Sequence, residues 1–344
     1  GQLSMVWALL CPILHRFSPV GSGHPDGEIL FLKIVNLHML SISSIIICRR
    51  LCFFGFELVR GKYMHFDKNM LNITRMEKGE KIYHYTTIDT LISITSGKEF
   101  WVTKWDYLND IDEFRVAEDV CEAVLREENV NEKTIKEIKQ SIAEERLFEL
   151  YLCSFSCDGD NQLLWSNYSD CDGVNLEIDC LKLEENLEHN ILWHGLVSYD
   201  FELQKKLMRE SFYDQLVENK DFGNIKALNE INGLQGNEYE KLISHISVIC
   251  ALYSMFFKRS CFKGESEYRF VFSIDENQEI SFRSKNGIVL PFIRKKIKTL
   301  DFITRVTIGP TNRIDIAEKG VKELLHYYKR DVNIVKSQIP LRFK

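Results

Sequence analysis

No C-x2-C knuckle occurs among the ten cysteines of this 344-residue chain, which are scattered as singles. That spacing argues against a structural zinc site. One close grouping is Cys153-x3-Cys157 with Cys171 and Cys180 beyond, and buried single cysteines are common core residues. Nor is there the density of a disulfide scaffold, so the expected state is reduced thiols in a cytosol, giving a cytoplasmic protein. There is no excess of basic charge. A net charge of -6 and a pI near 5.9 exclude a surface tuned throughout for nucleic acid, although a local patch remains open. No internal repeat is visible. A uninterrupted membrane span is also missing, because Lys33, Asn36 and His38 break the apolar run from Ile29 to Cys48. Membrane association is therefore not expected for the folded part. The stretch Met5 to Leu14 lacks a basic start and a small-residue cleavage site and contains Pro12, so it makes a poor signal peptide.

What is present is a hydrophobic fraction of 45% with 12% aromatics, enough for a sizeable core. Regular periodicity begins at Lys81. Residues 1–79 read as an N-terminal leader or extension, for which a translated leader ahead of Met70 or Met76, a membrane or interfacial segment, and a packing element compete; the leader is preferred. Residues 80–344 read as a single α+β domain.

Within that domain Ile82 to Tyr85 is a short strand, and Thr86-Thr87 caps a helix ending near Gly97. Phe100 to Thr103 is a second strand. Two amphipathic helices follow, one with Phe114, Ala117, Val120, Cys121, Val124 and Leu125 on one face, the other over about Glu132 to Leu150. Further strands are expected at Tyr151–Ser156, Gly173–Ile178, Leu192–Tyr199, Glu279–Phe282, Gly287–Phe292, Val306–Ile308 and Asn333–Lys336. The longest helical region is about Tyr239 to Phe257, and the last helix is about Asp315 to Lys329. Strands and helices mix without strict alternation, which is an α+β pattern.

The most informative stretch is Phe262 to Phe272. From Tyr268 onward it is aromatic and β-branched, as in a packed strand, yet Glu265, Glu267 and Arg269 fall on alternate positions and so on one face. Ionised groups on a core strand cost several kcal/mol each unless paired or turned into a cleft. A solvent-facing edge with an Arg-Glu pair is the plain alternative. Arg283, Lys285, Arg294, Lys295, Lys296 and Lys298 form a basic run in and around two late strands. Such a run is usually a solvated face, but lining a cleft it would attract phosphates.

Several short signatures occur in order: Tyr83-His84-Tyr85-Thr86, Phe100-Trp101-Val102-Thr103, Asn109-Asp110-x-x-Glu113-Phe114, Ser154-Phe155-Ser156, Leu164-Trp165, Gly173, Glu265-x-Glu267-x-Arg269 and Ile308-Gly309-Pro310. Together they resemble a bacterial domain family of unknown function, from about Lys81 to the C-terminus. That family in turn is distantly similar to the ADP-ribosyltransferases. The second resemblance implies a mixed, split β-sheet core with inserted and flanking helices, and NAD as substrate. It implies that His84 and the pair Ser154 and Ser156 line the NAD pocket and that Glu267 is catalytic, with Ser-Phe-Ser standing where Ser-Thr-Ser is usual. Glu265 would orient or deprotonate an acceptor, Arg269 would hold a carboxylate or contact a phosphate, and Tyr85 and Trp165 are the candidates to stack on a base or on nicotinamide.

The implied activity is transfer of ADP-ribose to a protein or nucleic-acid acceptor, or hydrolysis of NAD, in the context of a toxin or anti-phage defence effector with a homo-oligomeric or immunity partner. Two alternatives stay open. One is a metal-dependent nuclease built from Glu265, Glu267 and Asp110 or Glu113, against which the missing Glu-x-Lys spacing counts. The other is a partner-binding module whose charged strand is an interface edge. For His84 alone the alternative is a satisfied core histidine, and for Asp110 and Glu113 it is a helix capping box.

Overall fold

The computed structural model describes residues 70–107, 113–145, 149–187, 191–217, 219–274, 278–285, 287–311 and 314–340. Residues 1–69 of the expected leader or extension 1–79, and the signature residues Asn109 and Asp110, lie outside them. Ten strands among the described residues form one sheet. They are β1 (Lys81–Thr86), β2 (Glu99–Lys104), β3 (Leu150–Ser156), β4 (Val174–Asp179), β5 (Ile191–Leu196), β6 (Glu267–Ser273), β7 (Ile280–Lys285), β8 (Ile288–Lys296), β9 (Ile303–Ile308) and β10 (Asn333–Lys336). The helices of interest are α1 (Ile88–Gly97), α2 (Glu113–Glu127), α3 (Glu132–Glu145), α4 (Gln162–Tyr168), α5 (Cys180–Leu187), α6 (Phe201–Leu216), α7 (Gly236–Tyr253) and α8 (Ile314–Tyr327). The fold is mixed α+β, as the interleaving of periodicities implies.

The order β10-β9-β4-β1-β3-β2-β8-β7 conceals a fork at β3. One edge of β3 pairs with β6 along its whole length, from Leu150↔Ser273 to Ser156↔Glu267. The other edge is shared: β1 meets it only at Tyr83↔Ser156, and β2 only at Thr103↔Leu152 and Lys104↔Tyr151. Between those contacts β1 turns away to pair with β4, and β2 turns away to pair with β8. The sheet is thus split, with the middle of β3 at the base of the opening.

Strand alternation gives each face its own core. Tyr151, Cys153, Phe155, Tyr268, Phe270 and Phe272 join a cluster with Leu91 and Ile94 of α1, Leu183 of α5 and Val321 and Leu325 of α8. On the opposite face Leu150, Leu152 and Val271 pack beneath α2, α3, α6 and α7. The α2 positions Ala117, Val120, Cys121, Val124 and Leu125 are buried there, the face expected from their spacing.

Three local details shape the cleft. Thr87 caps α1, its side chain accepting from the Thr90 amide. Gly173 and Gly309 meet where β4 begins and β9 ends, the Gly309 amide donating to the Gly173 carbonyl at 2.9 Å. Finally α3 ends at Glu145 while Leu150 already belongs to β3, so the expected helix to Leu150 is too long. β-Branched and aromatic content downstream, together with pairing to β6, claims Leu150 for the sheet.

Candidate functional site

β6 is not an edge. It lies between β3 and β5, so its charged residues are interior and the solvent-facing reading of this strand does not hold. Glu267 and Arg269 project on the same face as Ser154 and Ser156, their partners on β3. Arg269 is 1% exposed, and Lys258, Glu265 and Glu267 are also more than nine-tenths buried. Charges so placed must be paired. Arg269 Nε donates to Glu267 Oε2 at 2.8 Å, a second guanidinium nitrogen lies 2.6 Å from the same oxygen, and Nη1 donates to the Met255 carbonyl at 2.8 Å. Lys258 Nζ lies 2.7 Å from Glu265 Oε2 and 3.5 Å from Glu267 Oε2. Arg269 therefore orients Glu267 and ties down the Met255 carbonyl just beyond α7, with Nε and Nη1 both donating.

Glu265 reaches this cluster by a different route from the one its spacing implies. It ends a 3-10 turn, Ser260–Glu265, and Ser266 then takes a left-handed conformation with φ of 46° before β6 starts at Glu267. Two carboxylates converge because the backbone reverses between them, while simple strand alternation would have reached the same face by extension. Ser156 pins the turn, donating to the Glu265 carbonyl at 2.8 Å and accepting from the Asp158 amide at 3.0 Å. The Tyr168 hydroxyl lies 3.4 Å from Glu265 Oε1, and the Tyr199 hydroxyl accepts from the Glu267 amide at 2.9 Å. Burial first, and then the nearby carboxylates, raise the pKa of both phenols, so both stay protonated.

A cavity of about 520 Å³ opens over the fork. That volume suits a nucleotide-sized ligand. His84, Tyr85, Ser154, Glu265, Glu267 and Arg269 all border it. His84 and Glu267 sit on opposite faces by register, since His84 pairs with Leu176 and its ring packs against Phe100 and Phe155 at 5.7 and 5.3 Å. The split in the sheet is what lets both reach one opening. Burial holds the His84 imidazole down to about 4, against a hydrogen bond to the Ser154 backbone that acts the other way, so the ring is neutral at pH 7.

Trp165 and Ser156 lie off the cavity wall. Trp165 is fully buried, its indole Nε1 donating to Asp160 Oδ1 at 2.7 Å and its ring edge-on to Tyr85 at 4.9 Å. It is a foundation under Tyr85, and a base cannot stack on it. The Tyr85 hydroxyl is itself tied down, donating to the Asp158 carbonyl at 2.8 Å and accepting from the Asn161 amide at 2.9 Å. Trp101 and Tyr107 both border the cavity with exposed rings, and Trp101, 37% exposed, is stacked on Phe292 at 4.7 Å and bonded through Nε1 to Glu99.

Lys258 was not legible as a site residue. It is a lone cation after the apolar end of α7, fixed by a parallel bridge between Ser198 and Phe257. Of the basic run, Arg283 and Lys285 border the cavity. Lys296 and Arg294 instead flank Glu99 at 2.6 and 3.7 Å, and the buried Lys295 donates to the Ser273 carbonyl at 3.3 Å. The acid set of the nuclease alternative cannot be assembled from what is described, since Asp110 lies outside it and the Glu113 side chain does too. Every described cysteine is a free thiol, and burial pushes the Cys153 thiol up to about 12, which makes it inert at neutral pH.

Residues 164–270 match the protein family described as "Protein of unknown function (DUF2971)". The match covers less than half of the chain, yet it takes in Tyr168, Tyr199, Lys258, Glu265, Glu267 and Arg269 and stops short of His84, Arg283 and Lys285. It supports the resemblance to a domain family of unknown function. Neither a curated protein nor a solved structure matches the chain. No helix among the described residues is long and apolar enough to cross a membrane.

Proposed function

We propose that the fork cavity binds NAD and that Glu267 promotes cleavage of its nicotinamide-ribose bond, with ADP-ribose passing to an acceptor or to water. The observation that supports this most is that His84, from the first strand, and Glu267, from a late one, border the same nucleotide-sized opening. In the reaction the bond from ribose C1′ to the pyridinium nitrogen breaks, its electron pair neutralises nicotinamide, and the ribose becomes oxocarbenium-like. A nucleophile then adds at C1′ and gives up its proton.

A carboxylate held beside that ribose stabilises the developing positive charge more than it stabilises the substrate. Glu267 is held for this by Arg269, and its orientation costs no rearrangement during the reaction. Glu265 takes the nucleophile's proton in this scheme, with Lys258 and Tyr168 around it. Neutral His84 offers a ring nitrogen to a ribose hydroxyl, and Trp101 offers a stacking surface. NAD is here a substrate.

A second reading has its own support: both buried carboxylates are already paired with cations, which suits a site that binds a nucleotide without turning it over. Chromatography of NAD incubated with the purified chain separates the two. Free nicotinamide with ADP-ribose, or with ADP-ribose retained on a macromolecule, fits cleavage; intact NAD retained by the protein fits binding alone.

A further inference from the structure

The cavity wall carries a charge imbalance. Its carboxylates are Glu99, Glu265 and Glu267, and its cations are Lys258, Arg269, Arg283 and Lys285. Glu265 and Glu267 are matched by Lys258 and Arg269, while Glu99 is matched by Lys296 and Arg294, which are not in the wall. Arg283 and Lys285 remain. Among the described residues neither has a carboxylate within ion-pairing distance.

They stand two residues apart on β7, so they project from the same face of the sheet. By register this is the face of Trp101 and Thr103 on β2, and hence of Leu152 and Glu267. Arg283 Nη2 donates to Thr103 Oγ1 at 2.8 Å, and its guanidinium lies over the Phe292 ring at 5.7 Å. These two contacts hold the fork in position without neutralising it. Its Nε is buried with no hydrogen-bond partner. Lys285 Nζ lies 5.9 Å from the Tyr168 ring centroid, which places the ammonium toward the same opening. Burial lowers the pKa of both cations, and the Arg283 charge lowers that of Lys285 further, against the Asp170 carboxylate, which acts the other way. Two like charges brought together in a partly desolvated wall, one with an unpartnered donor, are costly until an anion arrives.

We infer that Arg283 and Lys285 form the phosphate subsite of the cavity, taking the diphosphate of a dinucleotide or of ADP-ribose. A planar guanidinium with one donor engaged and the rest of its donors unpaired among the described residues fits a phosphate edge, and the ammonium adds a mobile point charge beside it. This assignment rests on the nucleotide reading of the cavity. It moves the phosphate role from Arg269, which is fully committed to Glu267 and Met255, to the strand hairpin on the other side of the fork. It also orients the ligand: phosphates against β7, ribose toward Glu267, and a base within reach of Trp101.

The test is calorimetric titration of the full chain with ADP-ribose, inorganic pyrophosphate and adenosine. ADP-ribose should bind the wild-type chain, and Arg283→Gln should weaken it about tenfold or more, as loss of a charge-assisted contact predicts. Lys285→Gln should weaken it several-fold, and Arg283→Lys should restore part of the loss. Pyrophosphate should follow the same order, while adenosine should bind all variants alike. Wild-type affinity for ADP-ribose in both glutamine variants, or equal weakening of adenosine, would overturn the assignment. Cleavage of NAD at unchanged affinity in those variants would sink this subsite alone. Phosphate binding with no cleavage would leave it standing and reject the catalytic reading.

Discussion

Arg269 grips Glu267, two residues earlier on the same strand face, through two guanidinium nitrogens at 2.8 and 2.6 Å. Both groups are buried, so each depends on the other to offset its desolvation. Removing one partner should therefore cost stability before it costs anything else. Arg269→Met is expected to destabilise the chain by about 3–5 kcal/mol, and Glu267→Gln/Arg269→Met together by clearly less than the sum of the single changes. Urea unfolding of the singles and the double measures this. Strict additivity would mean that the pair is not coupled.

Lys258 predicts a matching effect at the other acid. Lys258→Met leaves Glu265 without its closest cation and should destabilise by about 3 kcal/mol or more, while Lys258→Met/Glu265→Gln recovers part of the loss. Thermal melts of the three variants suffice. If the single change is silent, Lys258 is not part of the buried network.

The pH dependence of stability follows from His84. Its folded-state value is about 4 and its ordinary value is 6.5, so the unfolded chain takes up the proton first. The stabilisation is full above pH 6.5, declines as pH falls between 6.5 and 4, and levels off below that. Its size is at most about 3 kcal/mol, and less to the extent that the half-buried ring meets solvent. Urea midpoints at pH 7 and pH 4.5 should differ more for the wild-type chain than for His84→Gln. Equal differences would place His84 in water.

Gly173 illustrates a backbone constraint. A Cβ there would lie 2.2 Å from the Thr86 carbonyl oxygen and 2.8 Å from Ser169 Cβ, whereas one on Gly264 would meet only Leu163 Cδ2 at 3.5 Å. Gly173→Ala should lower stability by about 1–3 kcal/mol or prevent folding, and Gly264→Ala should stay within about 1 kcal/mol of the wild-type chain. Calorimetric melting distinguishes the two, and a neutral Gly173→Ala would contradict the close approach of β1 and β4 at this point.

Local chemistry was legible in the sequence and long-range pairing was not. Thr87 as a cap, α2 with its apolar stripe and β6 with its alternating charges follow from periods of 3.6 and 2 that any neighbouring residues reveal. The fork depends on β3 sharing one edge between β1 and β2, a choice made by residues far apart in the chain. Trp165 reads as a stacking platform in the sequence because an indole in a short polar-capped helix has no sequence mark of its depth. Its burial is set by Tyr85 above it and Asp160 at its nitrogen. Glu265 reaches the face that strand alternation implies through the left-handed Ser266, a turn that carries no glycine signal in the sequence. Lys258 gave no signal beyond being a single charge after an apolar run.

Glu267, in a cavity it shares with His84, is proposed to promote cleavage of the nicotinamide-ribose bond. Free nicotinamide released from NAD by purified wild-type chain and by Glu267→Gln, with folding of the variant verified by circular dichroism, tests it most directly. Release by the wild-type chain and a loss of about a hundredfold or more in the variant is the predicted result. No release by the wild-type chain, or release by the folded variant at the wild-type rate, would contradict it.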